Sequence, residues 1–158
     1  MLFLIGKLLL FFEFVIMVRL RYKYIIGQLL PPLGTPSDFS AITARDIQTT
    51  LKAFVEEIYG DEGLGVFSSS SSVRFLDIEH TCFFVIKTPA SFYRKLLFAL
   101  CSISKVKSCS CSIRTLRVQC TARGAKAALE RLVRLHCSCQ SGDSQLSLQL
   151  KMVQKSDI

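Results

Sequence analysis

Three sets of side chains in this 158-residue chain have types and spacings that could do chemistry. Asp77, Glu79 and His80 are one: residues two apart on a strand share a face, and paired carboxylates on one face could hold a divalent cation that activates water. The same residue types also gather at solvated hairpin tips with no catalytic role. Cys109/Cys111 and Cys137/Cys139, with His136 adjoining, are the second, a thiolate and imidazole set of the kind zinc takes. Zinc knuckles usually space their pairs by about two to four residues, so the single intervening residue here favours buried or free thiols. No P-loop, Ser-His-Asp or His-Glu-x-x-His pattern is present. The third set is cationic: Arg19, Arg21 and Lys23 near the N-terminus, Arg74 in mid-chain, then Arg114, Arg117 and Arg123. Clustered cations release counterions when they meet phosphates.

The chain holds 20 Lys+Arg against 12 Asp+Glu, a net charge of +8. From Lys105 to His136 there are eight basic residues and one acid, 8 − 1 = +7, which leaves 12 − 11 = +1 for the rest. A field concentrated in that stretch attracts nucleic acid or anionic lipid, and its bland counterpart is a solvated strand and helix face. Seven cysteines, an odd number in a chain of this length, argue against a disulfide framework and for a reducing compartment.

The elements that must position these residues follow from periodicity. Val18, Leu20, Tyr22, Tyr24 and Ile26 alternate with Arg19, Arg21 and Lys23, which predicts a half-buried strand with a basic outer face and its tyrosines in the core. Thr43 and Asp46 predict a helix start, and Ile47, Leu51, Val55 and Ile58 continue it until Gly60 stops it. Glu56, Glu57, Asp61 and Glu62 gather at that end, and Gly63 to Ser72 reads as a flexible loop. Val73–Ile78 and Cys82–Lys87 read as two strands, the second apolar on both faces and therefore central. Thr88 and Pro89 would open the next helix, whose stripe is Phe92, Leu96, Leu97, Leu100 and Ile103. Between Val106 and Cys120 the alternation changes phase, as one bulged strand or two short ones would. Ala125 to His136 makes a third helix, and Leu146 to Met152 alternates like a terminal strand. The order βαββαβ, followed by a helix and a strand, describes an α+β sandwich of the ferredoxin-like, RRM-like kind.

With half its residues apolar the chain fits one globular domain, expected over residues 17–153 with a tail at 154–158. Residues 1–16 are apolar except for Lys7 and Glu13. They lack a basic leader and a cleavage site, and are too short to span a bilayer. Met17 would serve as a start, leaving them an extension outside the fold; the alternative makes them the anchor of a small basic membrane protein.

MVRLRYKYIIGQLL at Met17–Leu30, VRFL at Val73–Leu76, SFYRKLLFAL at Ser91–Leu100 and LRVQCTAR at Leu116–Arg123 together resemble the processing-of-precursor-five type of protein subunit of ribonuclease P and ribonuclease MRP. The similarity spans Met17 to about His136, and rests on the order and spacing of the pieces. Where the family usually has glycine, this chain has Cys82 at the tip between the middle strands and Cys120 before the Thr-x-Arg turn. The resemblance implies a noncatalytic RNA-binding and assembly subunit. The particle's RNA, with bound Mg²⁺, would cleave the 5′ leader of precursor tRNA, and ribonuclease MRP would process ribosomal RNA precursors. It implies no cofactor on this chain, the two RNAs and other protein subunits as partners, notably a TIM-barrel-like one, a nuclear and nucleolar location and no membrane. RNA contact would fall to Arg19, Arg21 and Lys23 at the basic start, to Arg74, and to Arg114, Arg117 and Arg123. HTCFFVIK lacks the aromatic signature of RRM domains, so base stacking across the sheet is not expected.

Overall fold

A computed structural model describes residues 21–32, 39–140, 143–156 and 158. Strands β1 (Tyr22–Leu30), β2 (Ser72–Asp77), β3 (Phe83–Pro89) and β6 (Ser112–Gln119) form an antiparallel sheet in the order β2-β3-β1-β6. A two-stranded ribbon, β4 (Lys105–Val106) with β5 (Cys109–Ser110), precedes β6. Helices α1 (Ala44–Ser70) and α2 (Tyr93–Ser102) follow β1 and β3, and α3 (Ala122–Gln140) and α4 (Asp143–Lys155) follow β6. Interleaving β1 between β3 and β6 is what two split βαβ units produce, so the ferredoxin-like architecture read from the pattern is the one adopted.

Two cores flank the sheet. Ile25 and Leu29 of β1 and Phe84 and Ile86 of β3 pack with Ile47, Leu51, Val55, Leu96 and Leu100 of α1 and α2. Tyr24, Ile26, Phe83 and Val85 face the other way, onto Ala125, Leu129 and Val133 of α3 and Val153 of α4. The half-buried first strand with a basic outer face is therefore corrected. β1 is buried on both sides because α3 and α4 cover the second face, and its cations are confined to its start, Arg21 exposed and Lys23 half-buried. Tyr22 and Tyr24 belong to that second core, as their phase predicted.

α1 begins where expected. The Asp46 N–H donates to Thr43 Oγ1 (3.3 Å) and the Thr43 N–H donates to Asp46 Oδ2 (2.9 Å), a reciprocal cap. That backbone donor, then the Thr43 hydroxyl, holds the Asp46 carboxyl below the usual carboxylate range. Gly60 does not end the helix. At φ +64° it bends the chain, and the helix resumes because Gly63 fits against Tyr59, where a Cβ would meet the Tyr59 Cβ at 2.4 Å, and Phe67, 1% exposed, anchors it to the core. The expected loop is thus helical as far as Ser70.

The expected helix start at Thr88–Pro89 is also corrected. β3 runs through Pro89, opposite Tyr22, Thr88 Oγ1 lies 3.0 Å from Ser71 Oγ, and α2 starts at Tyr93 with no side-chain cap. The terminal strand is a helix, α4. Leucine, glutamine, lysine and methionine are helix formers with no β-branched run among them. The buried residues Gln149 and Val153 stand four apart, a helical spacing that crosses the period-two pattern of the leucines.

Cys82, at the tip between β2 and β3, adopts φ +55°. A left-handed conformation costs a residue with a Cβ about 1–2 kcal/mol. Cys82→Gly is therefore expected to be more stable than Cys82→Ala by about 1–2 kcal/mol in urea denaturation, since both remove the thiol and only glycine relieves the strain. Equal stabilities would show that the tip relaxes out of the left-handed region.

Candidate nucleic-acid interface

The phase change after Ile113 is a β-bulge, and it decides where two arginines point. In the β1–β6 ladder Arg117 stands opposite Ile26 and Thr115 opposite Gly27, which leaves Leu116 as the extra residue. Arg114 and Arg117 are three apart and on a regular strand would face opposite sides. With the bulge, Arg114 is opposite Gln28, itself opposite Phe83, and Arg117 is opposite Ile26; Phe83 and Ile26 both face α3. Both arginines are exposed on that side of an edge strand.

Arg117 and Gln119 of β6 form a groove of about 340 Å³ with Gly124, Ala127, Arg131 and Leu135 of α3. Beyond the β6–α3 turn lies a second depression, of about 700 Å³, at the end of the sheet, lined by Arg21, Lys23, Ala90, Cys120, Thr121 and Ala122. Lys23 Nζ donates to Cys120 Sγ (2.9 Å) and stands 5.7 Å from the centroid of the Tyr93 ring. The Arg94 guanidinium is 5.9 Å from the same ring, and its Nε–H donates to the Tyr93 hydroxyl (3.2 Å). That hydrogen bond first, then the charges of Arg94 and Lys23, lower the pKa of the phenol. On the neighbouring strand Lys87 Nζ lies 4.0 Å over Tyr22.

Of the residues predicted from sequence, the structure therefore brings Arg21 and Lys23 to one end of the sheet and Arg114 and Arg117 to the adjoining edge. Arg123, exposed in the first turn of α3, is at the corner between them. Arg19 lies outside the described residues. Arg74 is exposed on β2, the opposite edge, about 14 Å away at the usual strand spacing. Sequence reasoning missed Tyr93 and Arg94. The only signal for them was an aromatic-basic pair at the start of a helix, and what gives it meaning is the approach of β1, some seventy residues away. Among the described residues there is one ion pair, Lys107 Nζ to Asp46 Oδ2 at 3.9 Å, and none joins a described carboxylate to these cations.

The other two sets of side chains do not assemble. Asp77 is buried and accepts from Thr81 Oγ1 (2.8 Å), while Glu79 and His80 are exposed at the tip. Cys109 and Cys111 pack on the α1/α2 side of the sheet, whereas His136 stacks edge-on against Phe83 (5.7 Å) on the other. The side chains of Cys137 and Cys139 lie outside the described residues. Among the described residues no three His, Cys, Asp or Glu side chains converge as metal ligands, and no helix is long and apolar enough to cross a membrane.

An RRM-like sheet normally offers aromatic side chains to bases; here Tyr24, Phe75 and Phe83 are covered by the α3/α4 layer. The fold and site together define a ferredoxin-like α+β module that presents a cationic edge and end rather than a stacking platform. Comparison places it more closely. The model of the Rpp14/Pop5 family matches residues 23–130, and the chain belongs to that family. It is 29% identical over 124 residues to the ribonuclease P/MRP protein subunit POP5 of Schizosaccharomyces pombe, covering 73% of this chain and 88% of that protein. One chain in the cryo-EM structure of yeast ribonuclease MRP has the same fold, with a TM-score of 0.53 at 13% identity, over 75% of this chain and 95% of that one.

Proposed function

We propose that this chain is a noncatalytic RNA-binding and assembly subunit of ribonuclease P and ribonuclease MRP. The observation that carries this reading is the bulge-aligned, exposed arginine edge of β6 on a chain of the Rpp14/Pop5 family. On this reading the RNA holds Mg²⁺ and performs the hydrolysis. The chain neutralises phosphates and braces the fold of the RNA alongside the particle's other proteins, among them a TIM-barrel-like one, in the nucleus and nucleolus. Precursor tRNA and ribosomal RNA are then substrates of the particles, not of this protein alone.

The test is recovery of RNA from cell extract on the tagged full chain, with Arg114→Glu/Arg117→Glu in parallel. Enrichment of the ribonuclease P and MRP RNAs is expected, reduced at least about tenfold by the double reversal because two phosphate contacts are lost and two repulsions introduced. Recovery of neither RNA with the unaltered chain would overturn the proposal.

A further inference from the structure

We infer that the surface around the start of α3 follows one strand of RNA by its sugar-phosphate backbone, from the β6–α3 groove to the depression at the sheet end. This rests on the RNA-binding reading above and adds the class of RNA and its path. The two depressions adjoin: Gln119 and Gly124 line one, and Cys120, Thr121 and Ala122, which lie between them in sequence, line the other. Arg117 and Arg131 stand in the first and Arg21 and Lys23 in the second, so cations flank both sides of the corner.

At the corner itself is the N-terminus of a 19-residue helix with no acidic residue in its first turn. Thr121 caps it, its Oγ1 accepting from the Gly124 N–H (3.1 Å) and its carbonyl from the Ala125 N–H (2.9 Å). The N–H groups of the first turn ahead of these have no partner within the helix, and with the dipole they favour an anion at that point. The path turns from the sheet's edge to its end, a bend that a single strand makes and a rigid duplex does not. Tyr24, Phe75 and Phe83 are buried under α3 and α4, and the half-buried Tyr22 ring at the second depression is already engaged by Lys87 Nζ, 4.0 Å over it, so the backbone and not the bases is read.

Cys120 is exposed in the middle of this path and serves as a built-in probe. The full chain is labelled with an anionic or a cationic methanethiosulfonate, and its affinity for single-stranded oligouridylate and for an RNA duplex of equal length is measured. The anionic label is expected to weaken oligouridylate binding at least tenfold and the cationic label to spare it, with Cys120→Ser insensitive to both and the duplex bound more weakly throughout. Independently, Arg21→Gln/Lys23→Gln and Arg117→Gln/Arg131→Gln should each reduce the slope of log affinity against log salt by about 1.4, at roughly 0.7 per contact with a single strand. Lys52→Gln, on the exposed side of α1, should leave it unchanged. A slope altered by only one of the two pairs, equal effects of both labels, or preference for the duplex would each overturn the path while leaving the RNA-binding reading standing. Failure of the unaltered chain to bind any RNA, the two particle RNAs included, would overturn that reading itself.

Discussion

Gly27→Ala is expected to destabilise the protein by about 1–3 kcal/mol, and Phe84→Ala by about 3–5 kcal/mol, with the double variant losing clearly less than the sum. The two residues are opposite partners in the β1–β3 ladder. A Cβ on Gly27 would meet Phe84 Cζ at 2.4 Å and both Cε atoms at 2.9 Å, so the ring occupies the space that any other residue would fill. Phe84 is fully buried between the sheet and the α1/α2 layer and has nowhere to go. Removing the ring first vacates the site, and the added methyl then enters a cavity instead of a clash. Urea denaturation of the four proteins gives the coupling directly, and additivity within about 0.5 kcal/mol would show that the ring does not rest on the glycine. The consequence reaches the interface, because β1 presents Arg21 and Lys23 at one end and is the strand against which β6 takes its bulged register.

The features legible in the sequence are those set by local rules. Cys82 to Ile86 is apolar on both faces, and β3 is central; Thr43 and Asp46 form a reciprocal cap at the start of α1. The phase change between Ile113 and Leu116 is the bulge that aligns Arg114 with Arg117. What was misread depended on partners distant in the chain. Gly60 looks like a stop until Phe67 is seen to have a core to enter, and the leucines from Leu146 alternate like a strand although the residues that dock are Gln149 and Val153. Likewise the basic excess from Lys105 to His136 is one half of the proposed interface. The other half exists only because the ends of β1 and β6 and the starts of α2 and α3 meet, which brings Lys23 to both Cys120 and Tyr93.

Val153→Asp is expected to release α4 while the rest of the domain stays folded. Val153 is 1% exposed in the core shared by Tyr24, Ile26, Val85 and Leu129, where a carboxylate would be set among apolar side chains. Burying an unpaired ion costs several kcal/mol, more than the about 1.5–3 kcal/mol that burying the valine contributes to holding the helix. Of the other described side chains of α4, Gln149 is buried one turn before Val153. Leu148 and Met152 are exposed, and Lys126 Nζ reaches the carbonyls of Gln154 and Ser156 at the far end. Undocking therefore costs less than keeping the charge buried, and less than unfolding a sheet that α3 still covers through Ala125, Leu129 and Val133. Hydrogen exchange should show the amides of α4 losing protection near pH 7 while those of β1 and β3 keep it. Lowering the pH through the carboxyl's range should restore part of that protection, because the protonated form is cheaper to bury and burial raises its pKa. Arg117, Arg131 and the Thr121 cap are carried by β6 and α3, so affinity for single-stranded RNA should be unchanged. Equal loss of protection in β1 and β3 would instead make α4 part of one cooperative unit with the sheet.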